Sequence, residues 1–192
     1  MDNPDVWRGD RGLTDIIDQQ DLPKSDLRFE VLGTIDEASS AIGLVRAGPA
    51  RPRTKETLLE IQRDLCWMMS ELAEASASAQ ASTHITPDRL VYLAAEYKRH
   101  TEEVQLGKTF VIPGDTTVSA TLHLARSIVR RAERHVTRFV HQIEPLNPNL
   151  IAYLNRLSAL LFAMARAEDA ASGTPSTEAH PSSNGSHPDP AG

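Results

Sequence analysis

Four arginines, Arg126, Arg130, Arg131 and Arg134, crowd two turns of a chain that is acidic overall. Positions 126, 130 and 134 share one face of a helix, and Glu133 lies three residues from Arg130, where it can pair with it and fix its direction. A guanidinium fork held in this way suits bidentate contact with phosphate oxygens. The same spacing also suits a solvated charged face or an inter-helix salt-bridge network, and the cluster by itself does not choose between them.

A second cluster is Arg8-Gly9-Asp10-Arg11-Gly12-Leu13-Thr14, where two glycines leave backbone N–H groups open to close approach by an anion. It is neither a Walker loop nor a dinucleotide fingerprint, and a generic tight turn explains the same residues. Asn155-Arg156 sits polar inside the otherwise apolar run of Leu150, Ile151, Leu154, Leu157, Leu160, Leu161 and Phe162. A mid-helix asparagine needs a partner, which is either the bundle's own hydrogen-bond network or a ligand. His123 shares the arginine helix, yet no His/Cys/Glu spacing supports a metal site or a nucleophilic triad. Phe110, beside Pro113-Gly114, is expected to be an exposed aromatic.

The elements that must position these residues follow from length and pattern. At 192 residues and 40% hydrophobic content, the chain supports one core with tails. The 20 Lys and Arg against 26 Asp and Glu leave a net charge of −6, the wrong sign for non-specific attraction to nucleic acid. Any polyanion must meet a local basic cluster. Cys66, the single cysteine, excludes an intramolecular disulfide and reads as core packing between Leu65 and Met68. The N-terminal residues resemble neither a secretory signal nor a transit peptide, and no uninterrupted apolar run reaches membrane-spanning length, so a cytoplasmic protein is expected.

The periodicity predicts five helices. The first opens at the capping-box pattern of Thr34-Ile35-Asp36-Glu37 and runs to about Ala47, where Gly48-Pro49 stops it. The second covers 54–77, with Leu58, Ile61, Leu65, Met68 and Leu72 on one face. The third starts at Thr86-Pro87 and runs to about Val104, the fourth covers 117–142, and the fifth opens at Asn147-Pro148 and ends near Ala171. Strand signals are nearly absent, and only residues 109–112 look extended. The expected architecture is all-α, an antiparallel five-helix bundle over 26–171, preceded by an ordered loop segment over 1–25 and followed by a disordered tail over 172–192, rich in Pro, Ser, Gly and His.

In this order, four blocks resemble the PduO-type corrinoid adenosyltransferase family. They are Gly9-Asp10-Arg11-Gly12-Leu13-Thr14; Lys24-Ser25-Asp26-Leu27-Arg28 with Gly33-Thr34-Ile35-Asp36-Glu37; Phe110-Val111-Ile112-Pro113-Gly114 with Leu122-His123-Leu124-Ala125-Arg126 and Arg130-Arg131-Ala132-Glu133-Arg134; and Asn147-Pro148 leading to Tyr153-Leu154-Asn155-Arg156-Leu157-Ser158.

The resemblance implies transfer of the 5′-deoxyadenosyl group from ATP to cob(I)alamin in a trimer with sites between subunits. Arg130, Asn155 and Glu133 would form the catalytic set, with Arg130 and Asn155 on the nucleotide. Arg8, Gly9, Asp10, Arg11, Gly12, Thr14 and Lys24 would hold the triphosphate, and magnesium would accompany the ATP. Arg126 would pair with Asp36 of a neighbouring subunit. Phe110 would pack on the lower face of the corrin, and Arg131 and Phe162 join the binding set. The product would pass to an adenosylcobalamin-dependent enzyme. The chain departs from the family pattern at Val6-Trp7, at Ala38-Ser39 and at Ala159, where a carboxylate is replaced. Those departures keep a non-catalytic ATP- or corrinoid-binding sensor or carrier as the alternative.

Overall fold

The computed structural model describes residues 7–17, 19–74, 83–104, 106–107, 110–142 and 147–179. A 3₁₀ turn at Arg8–Arg11 leads into a two-stranded antiparallel hairpin, β1 (Leu13–Ile16) and β2 (Gln19–Pro23). Five helices follow: α1 (Leu27–Ala47), α2 (Pro52–Glu74), α3 (Pro87–Glu103), α4 (Thr117–Gln142) and α5 (Asn149–Ala171). Helix α4 lies between α1 and α5, with α2 flanking α1 and α3 flanking α5.

Helix α5 supplies the centre of the core, burying Leu150, Tyr153, Leu154, Leu157, Leu160, Leu161 and Met164. Among the described residues it alone has the length and mean hydropathy to cross a bilayer. Its burial against α3 and α4 accounts for that composition, because a helix enclosed by others is apolar on most sides.

The bundle agrees with the expected architecture, and the bounds of α4 coincide with those expected. Helix α1 differs, beginning seven residues before Thr34. Its cap is Asp26, whose side chain accepts from the Arg28 N–H at 2.9 Å. Thr34 lies inside the helix, where its hydroxyl donates to the Glu30 carbonyl at 2.6 Å. Thr86 makes no side-chain cap. Glu71 instead accepts from the backbone N–H groups of His84 (3.1 Å) and Ile85 (3.2 Å), fixing the approach to α3. Helix α2 ends at Glu74; its expected extension over 75–77 lies outside the described residues.

Two expectations are corrected outright. Cys66 is exposed, because Ile61, Leu65, Met68 and Leu72 occupy the buried stripe of α2 and a step of one residue turns about 100° away from it. The chain from 172 onward is not wholly a disordered tail. Residues 172–179 turn back through Gly173 at φ +73° and pair with the loop before α4, with Val111 bridging Glu178. Hydrogen bonds, and not apolar packing, hold this segment, so its composition gave no sign of order. Residues 180–192, also expected to be disordered, lie outside the described residues.

One buried polar network centres on Glu168. Glu168 on α5 binds Arg51 (2.9 Å) and the Thr54 hydroxyl, and Arg51 reaches Glu103 on α3 at 2.6 Å. His100 lies beside them, 1% exposed, with neither ring nitrogen hydrogen-bonded. Burial holds its pKa below the usual 6.5 despite the raising influence of Glu103. Stability is therefore complete above about pH 6.5, where His100 is neutral in both states. It falls below that value as the unfolded chain takes up the proton first, and the loss levels off beneath the folded-state pKa. Chemical denaturation at about pH 7.5 and 5.5 should show this loss, and His100→Leu should remove part of it; an identical pH slope in the variant would contradict the assignment.

Candidate functional site

The arginine stripe of α4 opens onto a cleft of about 580 Å³ bounded by α3, α4 and α5. Leu93 and Tyr97 come from α3, Arg126 and Arg130 from α4, and Asn155 and Phe162 from α5. Arg130 and Asn155 also line a neighbouring groove of about 470 Å³ with Glu133, Arg134, Arg138 and His141. Arg126 and Phe162 line a third hollow of about 310 Å³ with Phe110, Val111, Pro113 and His123. Shared walls join the three into one trough, basic at one end and aromatic at the other.

The charges along it are incompletely matched. Arg126 sits over the Phe162 ring at 5.7 Å and has no carboxylate partner among the described residues. Burial, and then the neighbouring Arg130, hold its pKa below the ordinary arginine value. An anion placed there would relieve that strain on the cation. The expected Arg130–Glu133 pair does not form; both line the groove, and an open ion pair at this spacing contributes too little to hold Arg130 back from it. Arg134 donates to the Arg130 carbonyl at 3.0 Å. Asn155 is exposed to the trough, and its amide has no protein partner among the described residues.

Arg131 points away from the trough and pairs with Glu37, tying α4 to α1. Asp36, next to Glu37, is exposed and makes no ion pair among the described residues. His123 stands edge-on to Phe162 with centroids 5.7 Å apart. Burial, and then Arg126, lower its pKa, keeping the imidazole neutral near pH 7.

The N-terminal residues assemble among themselves. Lys24 Nζ donates to the Gly9 carbonyl at 2.9 Å, and the Lys24 N–H donates to the Gly12 carbonyl at 2.8 Å. A Cβ on Gly9 would meet Lys24 Nζ at 3.0 Å, and Gly12 adopts φ +75°, so both glycines suit their places. Asp10 accepts from the Trp7 N–H at 2.9 Å, Arg11 is exposed, and Thr14 lies half-buried in β1. This unit is fastened to α1 by Arg28, which donates to Gln19 at 2.8 Å. Among the described residues it makes no substantial packing with α4 or α5, so there the loop and the trough of one chain are separate.

Sequence reasoning missed several walls of the trough. Arg138 extends the basic stripe at the same four-residue spacing, a signal present in the sequence, and His141 follows three residues on. Tyr97 on α3 carried no such signal. Arg156, adjacent to Asn155, donates to the Leu90 carbonyl at 2.9 Å and so pins α5 to α3. Among the described residues no group of three or more His, Cys, Asp or Glu gathers to hold a metal ion.

A family model described as cobalamin adenosyltransferase matches residues 6–168. The corrinoid adenosyltransferase PduO of Citrobacter freundii is 34% identical over 162 residues, covering 84% of this chain and 48% of that protein. The chain thus spans about half the length of that relative. The corrinoid adenosyltransferase of Bacillus subtilis is 35% identical over 169 residues, covering 86% of each. Among solved structures, a variant PduO-type ATP:corrinoid adenosyltransferase from Lactobacillus reuteri, complexed with cobalamin and ATP, superposes with a TM-score of 0.82 at 29% identity, covering 89% of this chain and 96% of that one. The match spans the trough and the N-terminal loop alike, and the chain belongs to the cobalamin adenosyltransferase family.

Proposed function

We propose that this chain transfers the 5′-deoxyadenosyl group of ATP to cob(I)alamin, giving adenosylcobalamin and triphosphate. The observation that carries this reading is the junction at Arg130 and Asn155, where a basic groove meets a trough walled by Phe110 and Phe162. The reaction needs no general base: the cobalt electron pair of the corrinoid substrate attacks the ribose 5′ carbon, and the breaking C–O pair leaves on the triphosphate. The protein's contribution is positioning and charge stabilisation. Arg130 would hold the phosphate side, Asn155 the nucleoside, and Phe110 and Phe162 the flat macrocycle. Glu133 would orient groups in the groove.

Magnesium fits as an ion borne by the nucleotide, because no carboxylate cage gathers among the described residues. When bound it would share the triphosphate charge. Arg8, Gly9, Asp10, Arg11, Gly12, Thr14 and Lys24 would close over that triphosphate.

The assembly would be a homotrimer in which this loop meets the trough of the neighbouring chain. Its separation from the trough of its own chain supports this, as do the unpaired Arg126 and the exposed Asp36, which would pair across the boundary. Arg131, engaged by Glu37, would then support α4 and take no part in binding. Mixing inactive Lys24→Ala chains with inactive Arg130→Ala chains should restore activity, since some boundaries then hold two intact halves; no recovery in verified mixed assemblies would contradict a shared site. The compartment would be the cytoplasm, and the product would pass to an adenosylcobalamin-dependent enzyme.

A second reading, a sensor or carrier that binds without turnover, is favoured by Ala159, which lines the cleft without offering a carboxylate. Release of one triphosphate per corrinoid consumed supports the transferase, whereas ATP binding with no triphosphate supports the carrier.

A further inference from the structure

Phe110 is 81% exposed on a loop, an unfavourable place for an aromatic that must hold one orientation. The residues around it are nevertheless fastened. The Ala179 N–H donates to the Phe110 carbonyl at 2.8 Å, and the Ile112 N–H donates to the Thr177 carbonyl at 2.8 Å. These bonds flank the Val111–Glu178 bridge, so residues 176–179 act as a short second strand for the aromatic loop. At the far end of the loop, Asp115 accepts from both the Thr177 N–H (2.9 Å) and the Thr177 hydroxyl (2.7 Å).

The strap itself is anchored to the bundle. Asp169, buried at the end of α5, accepts from the Thr116 hydroxyl at 2.8 Å and from the Ser176 hydroxyl at 3.4 Å. Its carbonyl accepts from the Thr174 N–H at 3.0 Å. One buried carboxylate therefore holds the start of α4 and the strap together. A single loop carrying Phe110 would have only its own backbone to orient it; here residues 110–116 are fastened to the strap and to Asp169.

We infer that Asp115 and Thr177 are positioning residues for the corrinoid: their clasp sets the Phe110 loop as one wall of the aromatic hollow, and they act through Phe110 without touching the substrate. The inference rests on the reading of the trough as a corrinoid adenosyltransferase site. It separates two functions along the trough, since the basic groove around Arg130 and Asn155 does not depend on the strap. The hydrogen bonds to Asp115, the Thr177 hydroxyl first, also hold its carboxyl below the usual range, so the clasp keeps its charge near neutral pH.

The test compares wild type, Asp115→Ala, Thr177→Val and Thr177→Ser in the full chain. Steady-state rates are measured with varied cob(I)alamin and varied ATP, and amide exchange is followed at Ile112 and Ala179. Asp115→Ala should lower kcat/KM for the corrinoid about tenfold, a modest misplacement of a reacting partner. The ATP dissociation constant should stay within about twofold, because Arg130 and Asn155 are untouched. Exchange at Ile112 and Ala179 should quicken while α4 amides stay protected. Thr177→Val should show the same pattern more weakly, and Thr177→Ser, which keeps the hydroxyl, should behave as wild type. A wild-type corrinoid kcat/KM in Asp115→Ala, or parallel losses for corrinoid and ATP, overturns the inference. An inactive wild-type chain would instead sink the transferase reading, and the exchange data would still report whether the clasp holds the loop.

Discussion

Arg130→Ala is expected to lower kcat/KM for adenosyl transfer by about a hundred- to a thousandfold, the usual consequence of removing one preorganised charge from a developing anion. Arg130 is the charged residue common to the cleft and the groove, and it is not spent on an ion pair among the described residues. Arg126 is partly buried over Phe162 and Arg131 is engaged by Glu37, while Arg134 and Arg138 line only the groove and do not reach the cleft that Arg130 shares with Asn155. Arg130→Lys keeps the charge but not the planar fork, and should fall between wild type and alanine. Stability should change by less than about 0.5 kcal/mol, because Arg130 is exposed. A large loss of both stability and activity would mean that Arg130 holds the bundle and not the substrate.

The largest stability effect is expected at Asp64. This α2 carboxylate is 5% exposed and accepts from Arg89 at 2.9 and 2.6 Å and from the Tyr153 hydroxyl at 2.7 Å. One side chain thereby joins α2, α3 and α5. Desolvation, reinforced by Asp64, pushes the Tyr153 phenol well above its ordinary pKa, so it stays a neutral donor. Asp64→Ala would strand the buried phenol and leave the half-buried Arg89 guanidinium without its carboxylate, costing about 3–5 kcal/mol. In a chain of this size that lowers Tm by roughly 6–20 °C. Tyr153→Phe should cost less, about 1–3 kcal/mol, since it leaves the Arg89 contacts in place. The double variant should be less destabilised than the sum of the two, because both remove the same bond. Additive losses in thermal or urea unfolding would show that Asp64 and Tyr153 act independently.

Periodicity made the helices legible wherever apolar residues recur at three and four. Helix α4 is the clearest case, because Leu122, Ala125, Val129, Ala132, Val136 and Phe139 define its buried stripe without interruption. The start of α1 was hidden because Thr34-Ile35-Asp36-Glu37 imitates a capping box, while the working cap is Asp26. The hairpin of β1 and β2 was not visible, since its burial pattern is shallow and its register shifts between Thr14 and Ile16. A strand that buries little leaves no alternation to read.

The site was legible in its residue types and less so in their partners. Arg126, Arg130 and Asn155 do converge on one trough, yet the neighbour of Arg130 was misassigned because spacing cannot say which way a long side chain leaves the helix. The role of residues 172–179 was hidden for a different reason. Thr177 and Ser176 are ordinary tail residues until Asp115 and Asp169 are placed opposite them, and that juxtaposition is a property of the fold alone.

The measurement that bears most directly on the account is the visible spectrum of the full chain incubated with ATP, magnesium and chemically reduced cobalamin. Wild type should convert cob(I)alamin to adenosylcobalamin, and Arg130→Ala should nearly abolish that conversion. Absence of adenosylcobalamin from wild-type protein that binds ATP in calorimetry would contradict this expectation and leave a carrier on the same bundle.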